Sequence, residues 1–148
     1  MVERLHELPA DRVAPLIVES EQAGLRFVRR LVEEWAIGQN RFDRPGEALF
    51  GALMDGRLVG VCGLNVDPYA GGPRVGRVRH LYVLRAYRRR GVGRRLVGAV
   101  LEVARGPFAT LRLSTEDPAA ARLYESLGFR RHEGDVRCTH LTELPASR

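Results

Sequence analysis

Residues 81–105, LYVLRAYRRRGVGRRLVGAVLEVAR, run from an apolar strand-like segment through an arginine-rich turn into an amphipathic helix-like segment. Six arginines fall between Arg85 and Arg95, around Gly91-Val92-Gly93. A helix amino terminus exposes unpaired backbone N–H groups and carries about half a positive charge, so arginine there opposes the dipole unless an anion is held. Glycine at such a start lets a phosphate approach the backbone. The stretch therefore predicts a strand, an anion cradle built from Arg88, Arg89, Arg90, Gly91, Val92 and Gly93, and a helix opened by Gly93. A solvated basic helix end is the alternative reading.

Two nucleotide motifs fail here. A Walker loop ends in Gly-Lys-Ser/Thr, and the chain contains no lysine; a dinucleotide fingerprint needs glycine where Leu96 stands. Working outward, FATLRLS after the helix completes a strand, helix, strand unit. EDPAAARLYESLGF predicts a further helix, with Asp117 as N-cap, Pro118 at the first helical position and Gly128 as a left-handed stop. The tail FRRHEGDVRCTHLTEL predicts a hairpin with Gly134 and Asp135 at its bend. Upstream, ALFGALM, Asp55-Gly56 and RLVGVCGLNVDP predict a hairpin with a type I′ turn. The amino-terminal part predicts a strand over Val2–Leu8 and two helices. The second of these carries Leu25, Val28, Leu31, Val32 and Trp35 at helical spacing before Gly38.

A chain of 148 residues can bury a core without disulfides or metals. Cys62 and Cys138 lie in separate strand-like runs and predict two buried thiols. No apolar run approaches the roughly 18 to 20 residues that span a bilayer, and MVERLHELPADR is too charged for a signal peptide, so no membrane association and a cytoplasmic location are expected. The formal charge is +6, yet all 24 basic residues are arginine, a bias that inflates the charge beyond any one function. The absence of lysine excludes Schiff-base chemistry and a lysine base, and arginine cannot serve as one. No metal site is expected, because His6, His80, His132 and His140 lack companions at ligand spacing. No GxSxG marks a serine nucleophile. Nucleic acid is not an expected partner, because the arginine run is short and no stacking aromatics interleave it.

RRRGVG, residues 88–93, resembles the RxxGxG pyrophosphate loop of the GNAT family of N-acetyltransferases, and DPAAARLYESLGF resembles that family's second signature, NxxAxxLYxxxGF. Order and spacing match, and the flanking elements extend the resemblance over nearly the whole chain. It implies an α/β fold with a mixed central β-sheet flanked by helices, as one domain over residues 1–148. It further implies acetyl-CoA as acyl donor and direct transfer to a primary amine of a small metabolite or amino acid. The backbone of Leu81, Tyr82 and Val83 would pair with the pantetheine arm. Amides from Arg89 through Arg94 would wrap the pyrophosphate, and Tyr124 would protonate the departing thiolate. A core tyrosine is the other reading of Tyr124. A homodimer is compatible, since family members often dimerise.

The departures from the pattern shape the acceptor side. Asp117 replaces a cofactor-binding asparagine, and either contacts the cofactor or only caps its helix. Arg77 and Arg79 occupy positions where relatives carry a base; neither can take a proton, so both are candidates for binding an anionic acceptor. Strand alternation directs His80 to the opposite face, so a packed or surface histidine is favoured over the other reading of His80, as the base. Asn65 and Asp67 share one face of the neighbouring strand, with Asp67 as either base or turn cap, and Trp35, beside Glu33 and Glu34, is a further acceptor-side candidate. A base is also dispensable where the amine deprotonates through water. Two other functions stay open: an acyl-CoA sensor without turnover, and acetylation of a protein amine.

Overall fold

The computed structural model describes residues 1–145, so the last three residues of the expected 1–148 domain lie outside the described residues. Strands β1 (Val2–Arg4), β2 (Ala48–Met54), β3 (Arg57–Val66), β4 (Val75–Val83), β5 (Thr110–Leu113), β6 (Arg130–Arg131) and β7 (His140–Glu143) form one sheet in the order β1-β2-β3-β4-β5-β7-β6. Helices α1 (Ala10–Gln22), α2 (Phe27–Ala36), α3 (Val92–Ala104) and α4 (Pro118–Ser126) cover it. This is the mixed α/β architecture expected: β4 and β5 are parallel, as the α3 crossover between them requires, and the remaining pairs are antiparallel. None of the described helices is long and apolar enough to cross a membrane.

Each face of the sheet has its own core. On one, Val13 and Leu16 of α1 and Val28 and Leu31 of α2 pack on Leu49 and Val61. On the other, Leu96, Val97 and Val100 of α3 pack on Phe50, Val59 and Leu64. Local signals hold where they should. Asp55 and Gly56 both take positive φ, 53° and 73°, between paired Met54 and Arg57, which is the type I′ turn. Asp117 Oδ1 accepts from the Ala119 amide at the start of α4, and Gly128 follows the helix at φ 102°. Three boundaries differ. Strand β1 stops at Arg4, α2 begins at Phe27 so that Leu25 precedes it, and α3 begins at Val92 with Gly91, not Gly93, at the helix start.

Two irregularities of β4 create the site. Only Val75, Gly76 and Arg77 pair with β5, so from Val78 onward the two parallel strands diverge and leave a wedge between them. On the opposite edge, β3 pairs Val61 with Tyr82 and Gly63 with Arg79, so His80 and Leu81 together face Cys62. That is a β-bulge, and His80 adopts φ 62° within it. The inserted residue resets the alternation. His80, expected opposite Arg77 and Arg79, instead stands on their side, with its ring 6.3 Å from Phe27 and 6.1 Å from Phe42. Leu81 and Val83 then point to the α3 side.

Candidate active site

The wedge opens into a cleft of about 1020 Å³. Its floor is β4 from Arg77 to Val83, its mouth is the turn before α3, and one wall is formed by residues 114–117 with Ala120, Leu123 and Tyr124 of α4. The α1–α2 connection contributes Ala23 and Leu25 to the lining, and the first turn of α2 contributes Phe27 and Arg30.

At the mouth, Arg89 and Gly91 both have positive φ, 64° and 78°. Alternating left-handed residues ahead of a helix curl successive amides toward one point, the geometry of an anion nest. A Cβ added at Gly91 would meet nothing within 4 Å, so glycine is required there by conformation and the space beside it is open to a ligand. Gly93 has a different reason: its Cβ would lie 3.1 Å from Leu123 Cδ2, so the missing side chain lets α3 and α4 approach. The nest, the open approach and the Arg89 and Arg94 side chains lining it fit a pyrophosphate.

The arginines of the run divide by their contacts. Arg88 Nε donates to the Val83 carbonyl at 2.8 Å, and its guanidinium lies over the Tyr82 ring at 5.3 Å. Arg94 donates to Ser126 Oγ at 2.9 Å while lining the cleft. Arg90 stacks over Tyr87 at 5.6 Å and is not among the lining residues. Glu19 of α1 braces this junction. Tyr82 Oη donates to Glu19 Oε2 at 2.6 Å and the Arg85 amide donates to the same oxygen at 2.9 Å. Burial, reinforced by the Glu19 contact, pushes the Tyr82 hydroxyl up to about 12. Sequence reasoning missed Glu19, because it meets Tyr82 across 63 residues.

Tyr124 lines the cleft and is 5 % exposed, its ring edge-on to Phe129 at 5.5 Å. Burial, then the neighbouring Cys62 and Asp117, raise its hydroxyl well above the usual range, so it stays protonated and able to donate. Asp117 lines the mouth, its carboxylate engaged as the α4 cap.

The acceptor-side expectations separate. Arg77 and Arg79 line the cleft, whereas Asn65, Asp67 and Trp35 do not. Asn65 exchanges amide hydrogen bonds with Asn40 at 3.0 Å and accepts from Arg79 Nη1 at 3.4 Å. Asp67 caps a turn, accepting from the Tyr69 and Ala70 amides at 2.7 and 3.1 Å, and pairs with Arg77 Nη1 at 3.4 Å. The carboxylate is engaged by these contacts and lies outside the cleft lining, and the turn-capping reading of Asp67 is the one its contacts satisfy. Trp35 stacks on Phe42 in the α1–α2 core. Sequence reasoning also missed Arg30 and Phe27, which reach the cleft only because α2 packs across β4. Among the described residues no three His, Cys, Asp or Glu are grouped to hold a metal.

His80 lines the cleft at 8 % exposure, and neither ring nitrogen has a hydrogen-bond partner. Burial, followed by the Arg79 charge, lowers its pKa to about 3, with the nearby Phe27 backbone opposing only in part. An unfolded chain takes up this proton near pH 6.5 and the folded one resists until about pH 3, so His80 makes stability fall as pH drops through that window. The slope from one such group is at most about 1.4 kcal/mol per pH unit. Urea denaturation of wild type and His80→Leu between about pH 4 and pH 7 should show the variant's stability falling less steeply with acid. Parallel lines would place the imidazole in contact with solvent.

A wedge between parallel strands, a nest at a helix start and a buried tyrosine in one wall make up the cleft. Comparison with known proteins gives its family. The model of the acetyltransferase (GNAT) family matches residues 14–129, and the chain belongs to that family. It is 39% identical over 94 residues to the N-alpha-acetyltransferase RimI of Mycobacterium tuberculosis, covering 59% of this chain and 54% of that protein. It is 32% identical over 84 residues to the glucosamine 6-phosphate N-acetyltransferase of Trypanosoma brucei brucei, covering 55% and 57%. These matches thus span about half the length of the curated relatives. Among solved structures, a protein of Exiguobacterium sp. 255-15 provisionally described as an acetyltransferase superposes with a TM-score of 0.85 at 28% identity, over 97% of this chain and 92% of that one. A GNAT-family acetyltransferase of Staphylococcus aureus Mu50 shares the fold at a TM-score of 0.72 and 16% identity, over 98% and 100%.

Proposed function

We propose that the protein is an acetyl-CoA-dependent N-acetyltransferase whose acceptor is a small primary amine carrying an anionic group. The observation that carries this reading is the charge of the acceptor end. Arg30, Arg77 and Arg79 line it, while the lining carboxylates, Glu116 and Asp117, sit at the head of α4. Arg77 is already paired with Asp67, so the guanidiniums of Arg30 and Arg79, which have no carboxylate partner among the described residues, suit a phosphate or carboxylate on the substrate, where charge-assisted hydrogen bonds are strong. The name of the Trypanosoma brucei brucei relative specifies an acceptor of this type, an amine with a phosphate.

Acetyl-CoA would supply a thioester open to attack by the amine nitrogen, with the coenzyme A thiol as leaving group and the proton lost by nitrogen balancing it. The protein contributes placement and charge. The β4 edge from Leu81 to Val83 would pair with the pantetheine arm, and a backbone amide near Val83 would stabilise charge on the carbonyl oxygen. The nest from Arg89 to Arg94 would hold the pyrophosphate. Tyr124, kept protonated by burial, would offer its proton to the departing sulfur.

Release of the coenzyme A thiol with glucosamine 6-phosphate, glucosamine, L-glutamate and an alanine-initiated tripeptide tests the reading. Anionic amines should exceed glucosamine by about 10-fold to 100-fold in kcat/KM. The margin should shrink in Arg79→Gln and at high salt. Glucosamine faster than its phosphate would overturn the anionic acceptor, and preference for the tripeptide would favour acetylation of a protein amine.

A further inference from the structure

We propose that His80 receives the acceptor's amino group, its imidazole accepting a hydrogen bond from the incoming amine and turning the nitrogen lone pair toward the strand edge at Leu81–Val83. The inference rests on the acyl-transfer reading of the cleft and assigns that reading's missing amine contact.

Three observations converge. The β-bulge places His80 and Arg79, adjacent in sequence, on the same face of β4, where regular alternation would have put them on opposite faces. A non-glycine residue at φ 62° costs about 1–3 kcal/mol, so the fold sustains this orientation at some expense. Both ring nitrogens are buried without partners, and they are the only buried side-chain nitrogen or oxygen atoms among the described residues in that condition. An unmade buried hydrogen bond costs about 1–3 kcal/mol, and the nearby Phe27 backbone, whose approach falls short of a well-formed hydrogen bond, offsets it only in part. The residue lines the cleft while both ring nitrogens are covered, so a partner that completes the ring reaches it from the cleft once the side chain turns to expose a nitrogen.

Chemistry selects the amine. An imidazole without the extra proton presents one acceptor nitrogen and one N–H. Among the cleft residues of α1, α2 and β4, the remaining polar side chains are arginines, which only donate, and Tyr82, whose hydroxyl is committed to Glu19. On these elements an anionic group has Arg30 and Arg79, Arg77 being paired with Asp67, and an amine N–H has His80; the other lining acceptors, Ser114, Thr115, Glu116 and Asp117, lie between β5 and α4. The charges facing the ring are Arg79 on its own strand and Arg30 of α2, and the other groups packed on it are the Phe27 and Phe42 rings. Cationic neighbours and burial keep the ring unprotonated at neutral pH and disfavour an ammonium beside it. His80 therefore orients an amine that enters as the free base and does not carry its proton away. Its position directly before Leu81 sets that amine next to the strand edge expected to hold the pantetheine arm.

The test uses His80→Ala and His80→Gln with ¹⁵N-histidine spectra of the wild type. Glutamine retains a neutral acceptor and cannot act as an imidazole base. For the fastest amine of the four named above, His80→Ala should lose about 10-fold to 100-fold in kcat/KM, and His80→Gln should recover much of it. The acetyl-CoA-induced rise in Tm should be unchanged in both variants, which also shows that they fold. The His80 ring should remain unprotonated from about pH 5 to pH 8, and its acceptor nitrogen should shift when that amine is added. Wild-type kinetics in His80→Ala, or a ring that ignores the amine, would overturn the assignment while leaving acyl transfer intact. A ring that protonates near pH 6.5 together with an inflection in kcat/KM would replace orientation by base catalysis. A wild type that neither responds to acetyl-CoA nor releases thiol would overturn the acyl-transfer reading, and His80's role with it.

Discussion

Tyr124→Phe is expected to lower kcat about 100-fold to 10,000-fold while the acetyl-CoA-induced rise in Tm stays the same. The change removes one hydroxyl from a ring that is 5 % exposed and packed on Phe129, so shape and packing survive. What disappears is the donor that burial keeps protonated. A thiolate leaving without a proton forms at higher cost, and the loss falls on kcat because cofactor affinity rests on the nest and the β4 edge instead. Single-turnover thiol release with saturating amine checks the chemical step directly. An unchanged rate would assign Tyr124 to the core alone and move proton supply to water. Lost cofactor affinity with an unchanged rate would make it a binding residue.

Gly91→Val is expected to abolish the thermal response to acetyl-CoA and to destabilise the free protein by about 1–3 kcal/mol. The residue sits at φ 78° with nothing within 4 Å of a built Cβ, so the penalty is conformational and not a clash. A β-branched residue leaves that region and re-aims the amides that follow it. In wild type, acetyl-CoA at about 100 times its dissociation constant should add roughly 2.7 kcal/mol, or on the order of 5 to 10 °C in Tm. Gly98→Ala is the control: it lies in the same helix without positive φ or a neighbour within 4 Å, and should keep the full response. A Gly91→Val protein that still gains several degrees would locate the cofactor phosphates elsewhere.

Much of this molecule is written in short-range chemistry. The Asp55-Gly56 turn, the Asp117 cap, the Gly128 stop and the glycine ahead of α3 depend on φ preferences and on amides within a few residues. The order strand, loop, helix, strand implies the parallel β4–β5 pair, since no short turn can join parallel strands. Together with the two motifs, these features made the fold and the glycine turn at the cleft mouth legible in the sequence. The one-residue error at the start of α3 reflects two glycines with different duties, of which only Gly91 needs the left-handed region.

The acceptor half was not legible in the same way. A β-bulge leaves no mark in RVGRVRHLYVL, whose pattern continues as if unbroken, because the bulge arises from how β3 lies against it. Asn65 and Asp67 share a face as alternation requires, yet Asn40 and the 69–70 turn engage them first. Trp35 follows the helical spacing faithfully and is drawn into the core by Phe42. Glu19 and Arg30 carry no motif; each acts on β4 from a helix far away in sequence. Local sequence thus determined the secondary structure, its turns and the left-handed residues ahead of α3, because the interactions responsible span only a few residues. Which side chains face the acceptor depends on strand register and helix docking, and those are settled by packing between segments tens of residues apart.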